Sequence, residues 1–405
     1  MIIVVFATTL VLAFSSLVAL YPAAIAPEVA PALGVSSATV GLQVSLIFTG
    51  AMLTALIGGP LTRRLGPCRT SQLSLLLVGL GAGLLAIPSL ASFAMASLVV
   101  GFGYGLTNPA ASLLLVRFTP RRHQGLIFSL KQTGVPLGGV LAGLIAPWLA
   151  LAVGWQAGLL WLCLLALTGI LALQAKRARW DDQRDSRSRW WRTPLAGLLV
   201  VWRQRSLRYV ALISLCFSAI QLSLSAFTVS LLVEDLEIRL VAAGMVMAAI
   251  QVCGVGGRVF WGWIADRLDN PLATLGVIGI VTALGALTVA AMTPGWPLGI
   301  VAGVLCLMGG AALGWNGVYL AEVVRLAPPE RVADASGGCL VFTYAGVPLG
   351  LPAFTLLHGI LDSYSGVFVA LAAIALLGLL LVQQARLASR RESGARHHVC
   401  STHGG

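Results

Sequence analysis

The chain has 405 residues, 58% of them hydrophobic and 10% charged, with 26 Lys and Arg against 14 Asp and Glu and a net charge of +12. A water-soluble globule carries about 25% charged residues, so this composition excludes one and specifies a polytopic membrane protein. The positive excess raises nucleic-acid binding as an alternative, and the distribution of the charges argues against it.

Apolar runs of roughly 20 residues, long enough to cross about 30 Å of hydrocarbon as helices, recur at 3–22, 38–60, 70–89, 92–115, 126–148, 154–174, 209–232, 240–262, 272–292, 297–323, 337–360 and 364–384. The first run is followed by a small-residue stretch, Ala23 to Ala26, that looks like a signal cleavage site. No charged segment precedes it, so it reads as the first span.

Basic residues fall in alternate loops on one side: Arg63, Arg64 and Arg69; Arg117, Arg121 and Arg122; ten from Lys176 to Arg208; Arg267; Arg325 and Arg331; and four from Arg386 to Arg396. Arg239 alone faces the other side, and only Lys131 and Arg258 lie within spans. The positive-inside rule predicts that both termini and the 175–208 loop are cytoplasmic, in the cell (inner) membrane. The charge is then topology, with lipid headgroups as its partner and no nucleic acid. Seven cysteines, five of them in spans, suggest small apolar fillers rather than a disulfide framework.

The 175–208 loop divides the spans six and six, and the halves repeat. GVPLGG (134–139) matches GVPLGL (346–351) at an offset of 212; Asn108, Arg117 and Pro120 map onto Asn316, Arg325 and Pro328 at 208; GGPLTRRLG (58–66) matches WGWIADRLD (261–269) at 203. The expected organisation is a six-helix bundle (1–174), a basic linker (175–208), a second bundle (209–386) and a disordered cytoplasmic tail (387–405). Such a repeat, with the solute path between the bundles, is the architecture of secondary transporters.

These loops carry a resemblance. Gly262-Trp-Ile-Ala-Asp266-Arg267-Leu is similar to the G-x-x-x-D-[RK]-x-G signature that follows the second and eighth helices of the major facilitator superfamily, with Asp269 in place of the last Gly. The first copy keeps Gly59 and Gly66 but puts Arg63, followed by Arg64, where the acid belongs. The resemblance covers essentially the whole chain. It implies an all-α membrane protein of twelve transmembrane helices in two bundles, a monomer, with the loops locking the cytoplasmic face. On that reading Asp266 and Arg267 latch, and Gly59 and Gly262 permit close approach; the competing reading is that Asp266 and Arg267 only anchor a helix end.

Lys131 lies about 9 Å along the fifth span. It shares a face with Gly134 and Gly138, while Pro136 is placed to kink the helix, a device repeated at Gly346, Pro348 and Gly350. An intramembrane charge costs about 2.5–3.5 kcal/mol, so it is seldom idle. Arg258 lies about 12 Å deeper than Asp266 along the eighth span. The resemblance implies a central cavity lined by helices that include the fifth and eighth. An arginine ahead of W-G-W-x-x-D-R is similar to the oxalate and monocarboxylate branches, where it binds the substrate carboxylate. Arg supplies a fork and Lys a point charge, a pair suited to a small organic anion. The competing readings are snorkelling for Lys131 and a bond to the Asp266 loop for Arg258.

Neutral residues expected to complete the cavity are Gln43, Gln132, Gln221, Gln251 and the repeat mates Asn108 and Asn316; interhelical clips are the alternative. Glu322 is the one clear acid within a span, a candidate for proton coupling or for a structural hydrogen bond. The near absence of buried acids disfavours a cationic solute.

GFGYG (101–105) follows no strand and is set aside as a nucleotide loop. The tail cluster His397, His398, Cys400 and His403 lacks anything to pre-organise a zinc site. Without a Ser/His/Asp set or CxxC spacing, neither enzyme nor cofactor is expected. The expected function is secondary active transport of a small organic anion, with a coupling proton as a possible partner. The alternatives are an efflux carrier for neutral or amphipathic compounds and a non-transporting sensor or scaffold.

Overall fold

The computed structural model describes residues 1–35, 40, 43–185 and 195–402. Among them twelve helices are long and apolar enough to cross a bilayer: α1 Ile2–Ala24, α2 Gln43–Leu65, α3 Pro67–Leu85, α4 Leu90–Phe118, α5 Arg121–Val153, α6 Trp155–Gln174, α7 Arg205–Asp235, α8 Ala242–Leu268, α9 Pro271–Ala290, α10 Leu298–Leu326, α11 Pro329–Leu361 and α12 Tyr364–Glu392. They coincide with the apolar runs because hydropathy is a local property. Several extend beyond them, since polar ends remain helical outside the oil.

The two halves pack alike. In the first, α2 and α3 pack on α4 and α1 on α5; in the second, α8 packs on α10 and α7 on α11. The glycines picked out by the repeat make the second of these contacts. A Cβ on Gly134 would lie 2.7 Å from the Thr9 carbonyl oxygen, and one on Gly138 would overlap that of Ala13, both on α1. Their mates Gly346 and Gly350 meet Leu215 and Ala219 on α7 in the same way. GFGYG is a packing seam: Gly101 and Gly105 abut Ile47 and Ala51 of α2, while Gly103 abuts Ser74 of α3. Spacing by four is what places two glycines on one face.

A bulky side chain at such a contact must separate two backbones. Gly138→Leu is expected to cost about 1–3 kcal/mol of stability, read as a lowered thermal midpoint in detergent. Gly143→Leu, one turn further along α5 with nothing within 4 Å of its Cβ position, leaves the midpoint unchanged.

The bundles meet on the side carrying the basic loops, where α2 packs on α11 and the start of α5 on α8 and α10. On the other side Gly143, Gly244 and Gly359 meet nothing within 4 Å of their Cβ positions. Two parts of the linker are docked. Asp181 accepts hydrogen bonds from the Cys68 and Arg69 amides at the start of α3 (2.7 and 3.2 Å), and Asp182 pairs with Arg117 at 2.5 and 2.8 Å. Burial raises the Asp181 carboxyl above its ordinary range, against the two N–H donors that lower it. A short helix, Ala196–Arg203, lies across α2 and α11, with Gly197 against Asp334 and Gly338.

The helix that includes α12 continues to Thr402, where the composition suggested a disordered tail. Glu392 fastens it by accepting from Ser206 Oγ at 2.7 Å and from the Ser206 amide at 3.2 Å. The side chains of the histidine and cysteine cluster in that tail lie outside the described residues.

Candidate functional site

Both intramembrane cations are buried at the junction of the bundles, Lys131 at 1% exposure and Arg258 at 3%. Lys131 does not snorkel. Its Nζ donates to Asn108 Oδ1 on α4, and Asn108 Nδ2 donates to the Tyr344 hydroxyl on α11 at 3.0 Å, so a chain of two hydrogen bonds runs from one bundle into the other. Arg258 does not reach the Asp266 loop. Its Nη1 donates to the Gln132 backbone carbonyl on α5, while Nε is buried without a partner. Among the described residues, neither cation is paired with a carboxylate; the ion pairs lie elsewhere.

The charges break the internal symmetry. The offsets that align the halves carry Lys131 onto Thr343 and Arg258 onto Ala55, so each bundle contributes one cation from a non-equivalent position.

A cavity of about 70 Å³ lies beside them, lined by Arg258, Gln132, Gln221, Asn108 and Asn316 of the expected set, with Phe48, Tyr104 and Tyr344 among the others. Lys131 reaches it through Asn108 rather than as part of the wall. Gln43 and Gln251 are not among the lining residues; Gln251, seven residues before Arg258, shares its face of α8 but lies about 10 Å further along the helix. Asn316 donates to Gln221 Oε1 at 2.9 Å, and Trp315 Nε1 donates to the same oxygen at 3.0 Å. The repeat mates Asn108 and Asn316 thus both line the cavity, with different partners.

Phe48, Tyr104 and Tyr344 form a triangle of rings with centroids 5.8, 5.8 and 6.1 Å apart. The sequence carries no motif that singles out Phe48, Tyr104 or Tyr344. Tyr104 sits inside the glycine-rich GFGYG, and an aromatic in an apolar run carries no signal of its own.

Glu322 is buried and clamped by Arg325 one turn along the same helix, at 2.6 and 2.8 Å. It does not line the cavity.

At the basic surface the two loop signatures make equivalent contacts with different chemistry. Asp266, at the end of α8, accepts hydrogen bonds from the amides of Gly125 and Leu126 in the first turns of α5, at 2.7 and 2.8 Å. Those amides have no intrahelical acceptor, and the helix dipole favours an anion there. Gly262 lies against Gly125 and Ser129, the close approach its lack of a side chain allows. At the mate position Arg63, at the end of α2, pairs with Asp334 in the first turn of α11, and Arg331 pairs with the same carboxylate at 3.1 Å. The acid missing from the first loop has moved to the helix it faces. Gly59 touches Asp334 directly. Arg64 follows Arg63 at the same helix end. Arg267, expected to latch with Asp266, instead stacks over Trp263 of its own helix, 5.4 Å from the ring centroid. No local motif in the sequence marks Asp334. The signal that finds it is a basic residue at the acid's position, which calls for an acid on the facing helix.

The sequence profile of the Major Facilitator Superfamily matches residues 4–338. The gallate transporter of Pseudomonas putida is 27% identical over 301 residues, 66% of this chain and 65% of that protein. The 4-hydroxybenzoate transporter PcaK of Acinetobacter baylyi is 31% identical over 136 residues, 33% of this chain and 29% of that protein. Each match spans less than two thirds of the relative's length. The crystal structure of the transporter FucP in the outward conformation superimposes with a TM-score of 0.75 at 14% identity, covering 94% of this chain and 98% of that one.

Proposed function

Because this chain belongs to the Major Facilitator Superfamily, we propose that it is a secondary transporter of a small organic anion, an aromatic carboxylate, bound between the bundles and carried by alternating access. The observation that carries the reading is the pair of buried cations, one from each bundle, held only by neutral groups. A buried charge without a counter-charge costs several kcal/mol, and an anionic solute supplies the missing partner.

Arg258 has one arm, Nη1, engaged. The edge formed by Nε and Nη2 remains for the two oxygens of a carboxylate, the geometry in which Arg binds it most strongly. Lys131, one hydrogen bond behind Asn108, adds positive potential. Phe48, Tyr104 and Tyr344 supply faces and edges for a ring. The cavity of about 70 Å³ admits roughly five waters, the scale of a single-ring solute. That two relatives are named for gallate and 4-hydroxybenzoate supports the ring as well as the charge.

The distribution of basic loops supports cytoplasmic termini by the positive-inside rule, and on that reading the Asp266 and Arg63–Asp334 contacts serve as the cytoplasmic gate. With Glu322 committed to Arg325, a coupling proton has no Asp or Glu among the described residues lining the chamber to use, and the proton is expected to travel on the solute or not at all.

Counterflow in proteoliposomes tests the proposal. Vesicles loaded with unlabelled 4-hydroxybenzoate are expected to accumulate the labelled compound, and 4-hydroxybenzamide, its neutral counterpart in shape, is not expected to compete. Exchange of neutral or amphipathic compounds in preference to carboxylates supports an efflux carrier instead. No exchange of any solute by folded protein supports a sensor.

A further inference from the structure

We propose that Pro136 is a positioning residue for solute binding: by leaving the Gln132 carbonyl without its helical donor, it creates the acceptor that orients Arg258. The inference rests on Arg258 being the anion's anchor.

In an α-helix the carbonyl of residue i accepts from the N–H of residue i+4, and proline has no N–H. Around Pro136 the neighbouring bonds persist. The Thr133 amide donates to the Ser129 carbonyl at 3.2 Å, and the Leu137 amide donates to the Thr133 carbonyl at 3.0 Å. The Gln132 carbonyl is the one whose i+4 residue is Pro136, and the regular helix is interrupted for one residue at Thr133, between Gln124–Gln132 and Gly134–Val153. A buried carbonyl left unpaired is costly. Here the donor is Arg258 Nη1, from the other bundle.

The bond has two consequences. A planar guanidinium pinned at Nη1 keeps one orientation, so its Nε edge, buried and unpartnered, is presented to the cavity that Arg258 lines. The bond also spans the interface between α5 and α8, so the anchor is aimed only while the bundles are docked on the basic side. Solute recognition and the closed state then share one hydrogen bond. The repeat mate Pro348 frees the Tyr344 carbonyl in the same way, yet among the described residues no side chain from the opposite bundle donates to it. The device belongs to one half only.

The test changes a single N–H. Pro136→Ala supplies a donor for the Gln132 carbonyl. Its backbone-ester counterpart, the α-hydroxy analogue of alanine introduced at position 136 by nonsense suppression, has the same side chain and no donor. The probe is 4-hydroxybenzoate binding to purified protein, with the interbundle distance on the basic side read in parallel by paired spin labels without solute. The alanine variant is expected to bind about tenfold more weakly and to populate a wider distance, while the ester matches the original protein in both readouts. Pro348→Ala changes neither. If the two variants at 136 behave alike, the inference is overturned: both unchanged means the carbonyl is irrelevant, and both altered means Pro136 acts through helix shape. Undiminished binding in Arg258→Gln defeats the anion-anchor reading instead, and the solute-free distances still decide whether Pro136 governs the bridge.

Discussion

Arg258→Gln is expected to lower the affinity for 4-hydroxybenzoate by about 100-fold or more, without lowering thermal stability to match. Truncating one partner of a buried, hydrogen-bonded charge pair costs about 3–5 kcal/mol, and each 1.4 kcal/mol is about tenfold in affinity. Stability responds differently, because in the empty protein the guanidinium is a buried charge facing a carbonyl and no carboxylate. Removing it relieves desolvation while sacrificing one hydrogen bond, so the thermal midpoint is expected to stay level or rise. Lys131→Gln loses less, about tenfold, since Lys131 acts from behind Asn108. Isothermal titration with melting curves on the same preparations checks all three statements. Full affinity in Arg258→Gln ends the anion proposal.

Reversing the charge of the first loop is the second large effect. Arg63→Asp brings a carboxylate against Asp334, which is fully buried in the first turn of α11, and like charges at that range repel where the original pair attracted. The basic side is expected to open, seen as faster thiol labelling of cysteines placed along α5 below Ser129. The double exchange, Arg63→Asp with Asp334→Arg, restores an ion pair but sets a cation at a helix N-terminus, where the dipole disfavours it by about 0.3–1 kcal/mol. Closure is expected to return only in part. Asp266→Asn is milder, since an amide oxygen still accepts from Gly125 or Leu126; about 1 kcal/mol is lost with the charge. Equal labelling in Arg63→Asp and the original protein would show that the contact is not a gate.

The charge exchange between the loops explains why the first signature looked defective. A loop motif records one side of a contact. With Arg63 at the acid's position the contact requires its acid on the opposite helix, and Asp334, 271 residues away, provides it. The same limit applies to Arg267, whose place beside Asp266 suggested a shared role; its side chain leaves the helix in another direction and meets Trp263.

Composition and hydropathy settled the twelve spans, because the cost of burying a polar residue in hydrocarbon is counted residue by residue along a single helix. The repeat followed from identity at fixed offsets, and Lys131 and Arg258 stood out because charges in spans are rare. Even the vacant Gln132 carbonyl was implicit in Pro136, since a helix bonds i to i+4. What no local rule contains is the partner: Arg258 for that carbonyl, Asn108 for Lys131, Asp334 for Arg63, and a triangle of Phe48, Tyr104 and Tyr344 drawn from three helices. These pairings arise when separate helices dock, and docking is decided by shape across the whole interface rather than by any stretch of chain.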